Sequence, residues 1–136
     1  MKVVLDTNIF VSGVHWGGAS ERVLQEWSSG KFTLISSLPL VEELFRVLKN
    51  FRIPLKTEKI ELLENIIFEK SIIVVPTEKV DIIKDDPDDN KFIEAALEGK
   101  ADYIVSQDKH LLDVKVFRDV KIATPKEFLE MLNLEK

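Results

Sequence analysis

In this 136-residue chain the residues best suited to chemistry are acids. Asp6 follows directly on the apolar run Val3-Val4-Leu5, and Asp108 lies just past Tyr103-Ile104-Val105 and Ser106. Glu43 sits inside Leu40-Val41-Glu42-Glu43-Leu44, and Asp89 belongs to the dense run Asp85-Asp86-Pro87-Asp88-Asp89-Asn90. Two unit negative charges about 4 Å apart repel by roughly 4 kcal/mol at an effective dielectric near 20. Were these four carboxylates to meet, they would therefore need protonation or a divalent ion. All-oxygen ligands select Mg²⁺ or Mn²⁺ over Zn²⁺. The chain has only His15 and His110 and no cysteine to offer a softer metal. Carboxylate-bound Mg²⁺ lowers the pKa of a water, orients it toward a phosphorus and neutralises developing charge. Phosphodiester hydrolysis is the chemistry that such a cluster suits best.

Whether the acids meet depends on the elements that carry them. Val3 to Leu5 reads as a strand buried on both faces of a parallel sheet. A helix is expected from about Ser20, as N-cap, to Gly30, then a strand from Phe32 to Ile35. Leu38 to Lys49 has helical periodicity, and after Pro54 so does Thr57 to Lys70. Ile72 to Val75 is strand-like. A helix from about Asp88 to Leu97 ends at Gly99, Tyr103 to Val105 is a strand, and Val120 to Ala123 is a last one. Pro125 suits the first turn of a closing helix. Alternating strands and helices predict the α/β class, with a central, mainly parallel sheet covered on both faces. In such sheets ligands bind beyond the carboxyl ends of the strands, which is where Asp6 and Asp108 fall.

Each acid also has an ordinary explanation. Asp6 and Asp108 taken singly are loop acids or caps, since Asp is common at both, but two at equivalent strand ends weaken that account. At about 100° per residue, Glu42 points away from the apolar face of its helix while Glu43 lies on its flank. Taken singly, Glu43 is a solvated residue that pairs with a nearby base. In the acidic run, one or two acids suffice to favour a helix start. Helix phase separates the rest. Asp89 falls on the face of Phe92, Ile93 and Ala96, where a lone carboxylate is costly to bury. Asp88 lies to the side and suits an N-cap.

Length and composition fit one compact domain over residues 1–136, with 45% apolar residues to fill its core. The absence of cysteine excludes disulfides and thiol nucleophiles. The opening apolar run is too short for a signal peptide, which predicts a cytoplasmic protein. The net charge of −5 does not advertise a nucleic-acid binder, yet Arg46 to Lys59 holds five basic residues against one acid. Arg46, Lys49 and Arg52 are thus candidates to track a phosphate backbone, or else to dock an acidic partner.

At these same residues the chain resembles the PIN-domain family, and in particular its compact prokaryotic toxin-like (VapC-like) members. Val4-Leu5-Asp6-Thr7-Asn8 matches a first motif and Leu40 to Leu44, with Val47-Leu48, a second. Asp85 to Asn90 with Lys91 to Ala96 matches a third, and Ala101 to Asp108 with Leu111-Leu112 a fourth. The resemblance implies a three-layer α/β/α sandwich and Mg²⁺- or Mn²⁺-dependent cleavage of single-stranded RNA. It also implies a homodimer and, for toxin members, a cognate antitoxin. Asp6, Glu43, Asp89 and Asp108 would hold the metal and carry catalysis. Asn8 and Ser106 would hydrogen-bond a carboxylate or a metal-bound water, or else serve as turn and strand-end residues. Ser106 stands where the motif often has Thr, which keeps the hydroxyl. A phosphatase with Asp6 as nucleophile would want a second Asp at the position of Asn8. A phospho-receiver would want paired early acids and a late lysine at a strand end. The remaining alternative is a catalytically weak scaffold acting as an RNA or protein adaptor.

Overall fold

The computed structural model describes residues 1–53 and 55–134. The chain begins with strand β1 (Lys2–Leu5) and passes at once into α1 (Thr7–His15) and α2 (Gly18–Ser28). There follow β2 (Thr33–Ser37), α3 (Leu38–Asn50), α4 (Thr57–Lys70) and β3 (Ser71–Val74). A 3-10 turn (Pro87–Asp89) leads into α5 (Asn90–Glu98), then β4 (Tyr103–Val105), α6 (Lys109–Leu112), β5 (Val116–Phe117), β6 (Val120–Ala123) and α7 (Pro125–Leu134). The strands form one sheet in the order β3-β2-β1-β4-β6-β5, parallel throughout except for the β5–β6 pair. No helix among the described residues is long and apolar enough to cross a membrane.

The two-residue period of a strand sends successive side chains to opposite faces, and both faces here are covered. Val3 and Leu5 join a core with Ile9, Phe10, Trp27, Leu44 and Phe128, beneath α1, α2, α3 and α7. Val4 joins a second core with Ile35, Phe92, Ile93, Ile104 and Leu111, beneath α5 and α6. Three layers follow, as the alternating elements predict. The closing helix starts as Pro125 suggests, with Thr124 and Glu127 capping each other: the Thr124 amide donates to Glu127 at 2.9 Å and the Glu127 amide to Thr124 Oγ1 at 3.1 Å.

Three elements depart from the sequence expectation. Helix α1 starts directly after Asp6, in a segment whose β-branched residues and Gly13 give it poor intrinsic propensity. Packing makes it: Ile9, Phe10 and Gly13 are buried, and a Cβ on Gly13 would lie 2.6 Å from Leu24 Cδ1 in α2. Ser20 is no cap; it is buried in the first turn of α2 and its hydroxyl accepts a bond from Gln107 Nε2 at 3.2 Å, while Gly17 stands at the cap. Asp88 makes no cap bond either, because the 3-10 turn precedes the helix and Asp88 pairs elsewhere.

From β1 the chain moves outward on one side to β2 and β3, then returns to place β4 on the other side of β1. Neighbouring crossovers thus diverge at the carboxyl ends of β1 and β4, the position where sheets of this kind open a crevice. Leu5 pairs with Val105 in the β1–β4 register, so the residues that follow, Asp6 and Ser106, emerge side by side.

Candidate active site

Asp6 leaves β1 with an extended backbone and precedes α1, yet its side chain makes no cap bond. Instead its Oδ2 accepts a hydrogen bond from Ser106 Oγ at 2.6 Å. The Ser106 hydroxyl also accepts from the Asp108 amide at 2.9 Å, so one buried oxygen locks the ends of β1 and β4 together. Asp6 is only 5% exposed. Burial is the largest cause that pushes its carboxyl up to about 6. The Ser106 bond and the Asn8 amide pull it down, and the charges of Asp108 and Glu43 push it up.

Asp89 reaches the same place from the opposite core. It is 9% exposed, and its Oδ2 is buried without a hydrogen-bond partner. Burial, a hydrogen bond with Asp108 and the charges of Asp108, Asp6 and Asp86 push it up to about 8. That same bond holds Asp108 below the usual carboxylate range, aided by the His110 amide, which donates to Asp108 Oδ1 at 2.9 Å. Of the two, Asp89 is the one that keeps its proton to higher pH. Ligand atoms of Asp86, Asp108 and His110 also lie within 4.8 Å of one another at the rim. The sequence reading passed over Asp86 and set His110 aside; the fold brings both to the edge of the cluster.

Glu43 arrives on the flank of α3, as its helical phase requires, and its charge is felt at Asp6. Both of its oxygens are engaged. Thr7 Oγ1 donates to Oε2, and Lys91 Nζ donates to Oε1 at 2.6 Å. The same ammonium reaches Asp88 Oδ2 at 2.6 Å. Burial works against the charge on Lys91, but its two carboxylate partners outweigh this and hold its pKa above the usual lysine value. Lys91 had no signal in the sequence beyond standing in the third motif, because nothing local says that a residue of α5 will meet one of α3.

Other residues hold the frame. The Asn90 side chain accepts from the Ile82 and Ile83 amides and donates to the Ile83 and Pro87 carbonyls, all between 2.9 and 3.1 Å. Those bonds tie down the acidic loop and so aim Asp89. The side chain of Asn8 bonds no carboxylate among the described residues, and its Oδ1 is buried without a partner. Arg46, Lys49 and Arg52 are exposed on α3 and just beyond it. Arg46 lies near enough to Asp88 to lower it, secondary to Lys91, so the basic surface begins at the edge of the acidic cluster.

The donor set fits a small, hard divalent cation. It is made of carboxylate oxygens, one of them buried and unpartnered, and two of the carboxyls resist ionisation, first because they are buried and then because of the acids beside them. An ion there would relieve that resistance.

The chain is 31% identical to the uncharacterized protein MJ1680 of Methanocaldococcus jannaschii, over 96% of this chain and 90% of that one. Its fold is similar to VapBC2 of Rickettsia felis, solved bound to a promoter DNA fragment (TM-score 0.60, 15% identity, 91% of this chain and 98% of that one). It is similar also to VapBC-1 of nontypeable Haemophilus influenzae (TM-score 0.60, 16% identity, 93% and 99%). FitAcB of Neisseria gonorrhoeae is a more distant likeness (TM-score 0.51, 17% identity, 91% and 98%). Residues 2–110, which carry all four acids, match the profile of the PIN domain, a family whose members are generally nucleases, and to that family this chain belongs.

Proposed function

We propose that the chain is a single nuclease domain, spanning residues 1–136, that hydrolyses phosphodiester bonds of single-stranded RNA with Mg²⁺ or Mn²⁺. The observation that carries this reading is that Asp6, Asp89 and Asp108 lie near enough to act on one another's ionisation at the switch point of the sheet, with one Asp89 oxygen buried and unpartnered. A divalent ion supplies charge against the phosphate and polarises the attacking water. Asp6, Asp89 and Asp108 would hold it, and Glu43 would reach it only by letting go of Lys91 or Thr7.

The chain's own groups do the rest. Ser106 fixes Asp6 Oδ2 and, through the Asp108 amide, the start of α6, so two carboxylates keep their spacing without metal. Beside a bound cation Asp89 would give up the proton that burial holds on it, and its Oδ2 would then be able to accept one from water. Arg46, Lys49 and Arg52 would carry the RNA backbone away from the cleavage point. The likeness in fold to VapBC proteins supports a toxin of a toxin–antitoxin pair, and such a toxin would be restrained by an antitoxin and work in the cytoplasm as a homodimer.

The test is cleavage of varied single-stranded RNAs in Mg²⁺, Mn²⁺ or excess chelator. Cleavage with either ion and none in chelator is the expected result. Robust cleavage in chelator would sink the metal mechanism. RNA retention without cleavage under any condition would instead make the chain an adaptor.

A further inference from the structure

The acids of the site fall into two groups with different counter-charges. Glu43 and Asp88 share Lys91, each at 2.6 Å from its Nζ. Asp6, Asp89 and Asp108 have no lysine or arginine within salt-bridge distance among the described residues. The Lys91 side chain is 15% exposed, so its ammonium is lodged between α3 and α5 and not waving in solvent. Each Glu43 oxygen already accepts a hydrogen bond, the other one from Thr7.

We infer that Lys91 is a resident cation standing where a second metal ion would otherwise sit, so that the site takes one divalent ion, on its aspartate side. This rests on the divalent-metal reading above. Two-metal nucleases hold their ions roughly 3.5–4 Å apart and bridge them with carboxylates. Here the carboxylate available to a second ion, Glu43, is already paired with an ammonium built into the fold. An incoming dication would have to displace that ammonium or endure its repulsion at contact range. Glu43 consequently serves to position Lys91, and Lys91 contributes a fixed positive charge beside the cluster without needing free metal. A lysine in this place also spares the protein part of the mutual repulsion of its acids when no ion is bound.

The experiment is Mn²⁺ titration of the intact chain, with free Mn²⁺ followed by electron paramagnetic resonance and the heat by calorimetry. Wild type is expected to bind one Mn²⁺ per chain. Lys91→Met, which frees Glu43 and removes the competing charge, is expected to bind two. Lys91→Arg, which keeps the charge, is expected to return to one. Glu43→Gln should keep the single ion, weakened by no more than roughly 10–100-fold, as for a residue outside the metal's own ligands. Asp89→Asn should lose it. Lys91→Gln retains a donor for Glu43 and carries the same expectation as Lys91→Met if the latter does not fold. Two ions in wild type, or one ion in a folded Lys91→Met or Lys91→Gln, overturns the inference and leaves the metal nuclease standing. No Mn²⁺ bound by wild type refutes both readings at once.

Discussion

Replacing Asp6 with Asn is expected to stabilise the metal-free protein at pH 8 and to change it little at pH 4. A carboxyl whose folded pKa is raised costs stability when it ionises. The cost is absent below its unfolded pKa of 3.8, grows as pH rises, and is complete once pH passes the folded value of about 6. A shift of about two units corresponds to about 3 kcal/mol at pH 8, and at pH 4 only about 0.5 kcal/mol of it is present. Asn keeps the shape and still accepts the Ser106 hydroxyl, and the shift already includes the stronger bond that the charged acceptor makes. The net gain at pH 8 is therefore about 3 kcal/mol, or roughly 10 °C in Tm for a chain of this size. Thermal melts in chelator at both pH values measure it. With Mn²⁺ at about a thousandfold over Kd the order reverses, because wild type gains about 4.1 kcal/mol from binding and Asp6→Asn does not. An Asn variant that is less stable than wild type at pH 8, or equally stabilised at both pH values, would show that Asp6 is not held against its charge.

The two neighbouring aspartates of the acidic loop are expected to behave differently. Asp89→Asn abolishes RNA cleavage, while Asp88→Asn loses only an exposed partner of Lys91, keeps cleaving, and shifts stability by no more than about 1 kcal/mol. If Asp88→Asn is the inactive one, the assignment of roles within the loop is wrong. Changing Arg46, Lys49 and Arg52 together to Gln should weaken RNA binding at low salt and flatten its salt dependence by up to about 0.7 in slope per phosphate released. Metal-induced stabilisation should survive that change. An unaltered slope would place the RNA elsewhere and leave the basic surface to a protein partner.

The legible parts of the molecule were those set by period and local chemistry. Val3-Val4-Leu5 announced a strand buried on both sides, and its residues divide between two cores. Helical phase singled out Asp89 over Asp88, and the structure buries the first and exposes the second. Phase also put Glu43 on a flank, where it meets Thr7 and Lys91. What the sequence withheld depends on contacts between distant segments. Helix α1 forms because Ile9, Phe10 and Gly13 are packed, against the propensity of its residues. Strand β5 is two residues long and α6 four, too short for any period to register. The grip of Lys91 on Glu43 spans 48 positions, and the role of Asn90 lies in a loop that it folds around itself.

The bond between Ser106 and Asp6 joins residues 100 positions apart, across adjacent strands. Closing so long a segment is entropically costly and comes late, after the local helices have formed. During synthesis Asp6 is made well before β4, Ser106 and Asp108, which are needed to complete its surroundings. A chain released early, before that point, carries an exposed Asp6 and no cluster. On the nuclease reading such fragments are inert toward RNA, including the message still being translated, and the domain becomes active only once Asp108 has been made and packed.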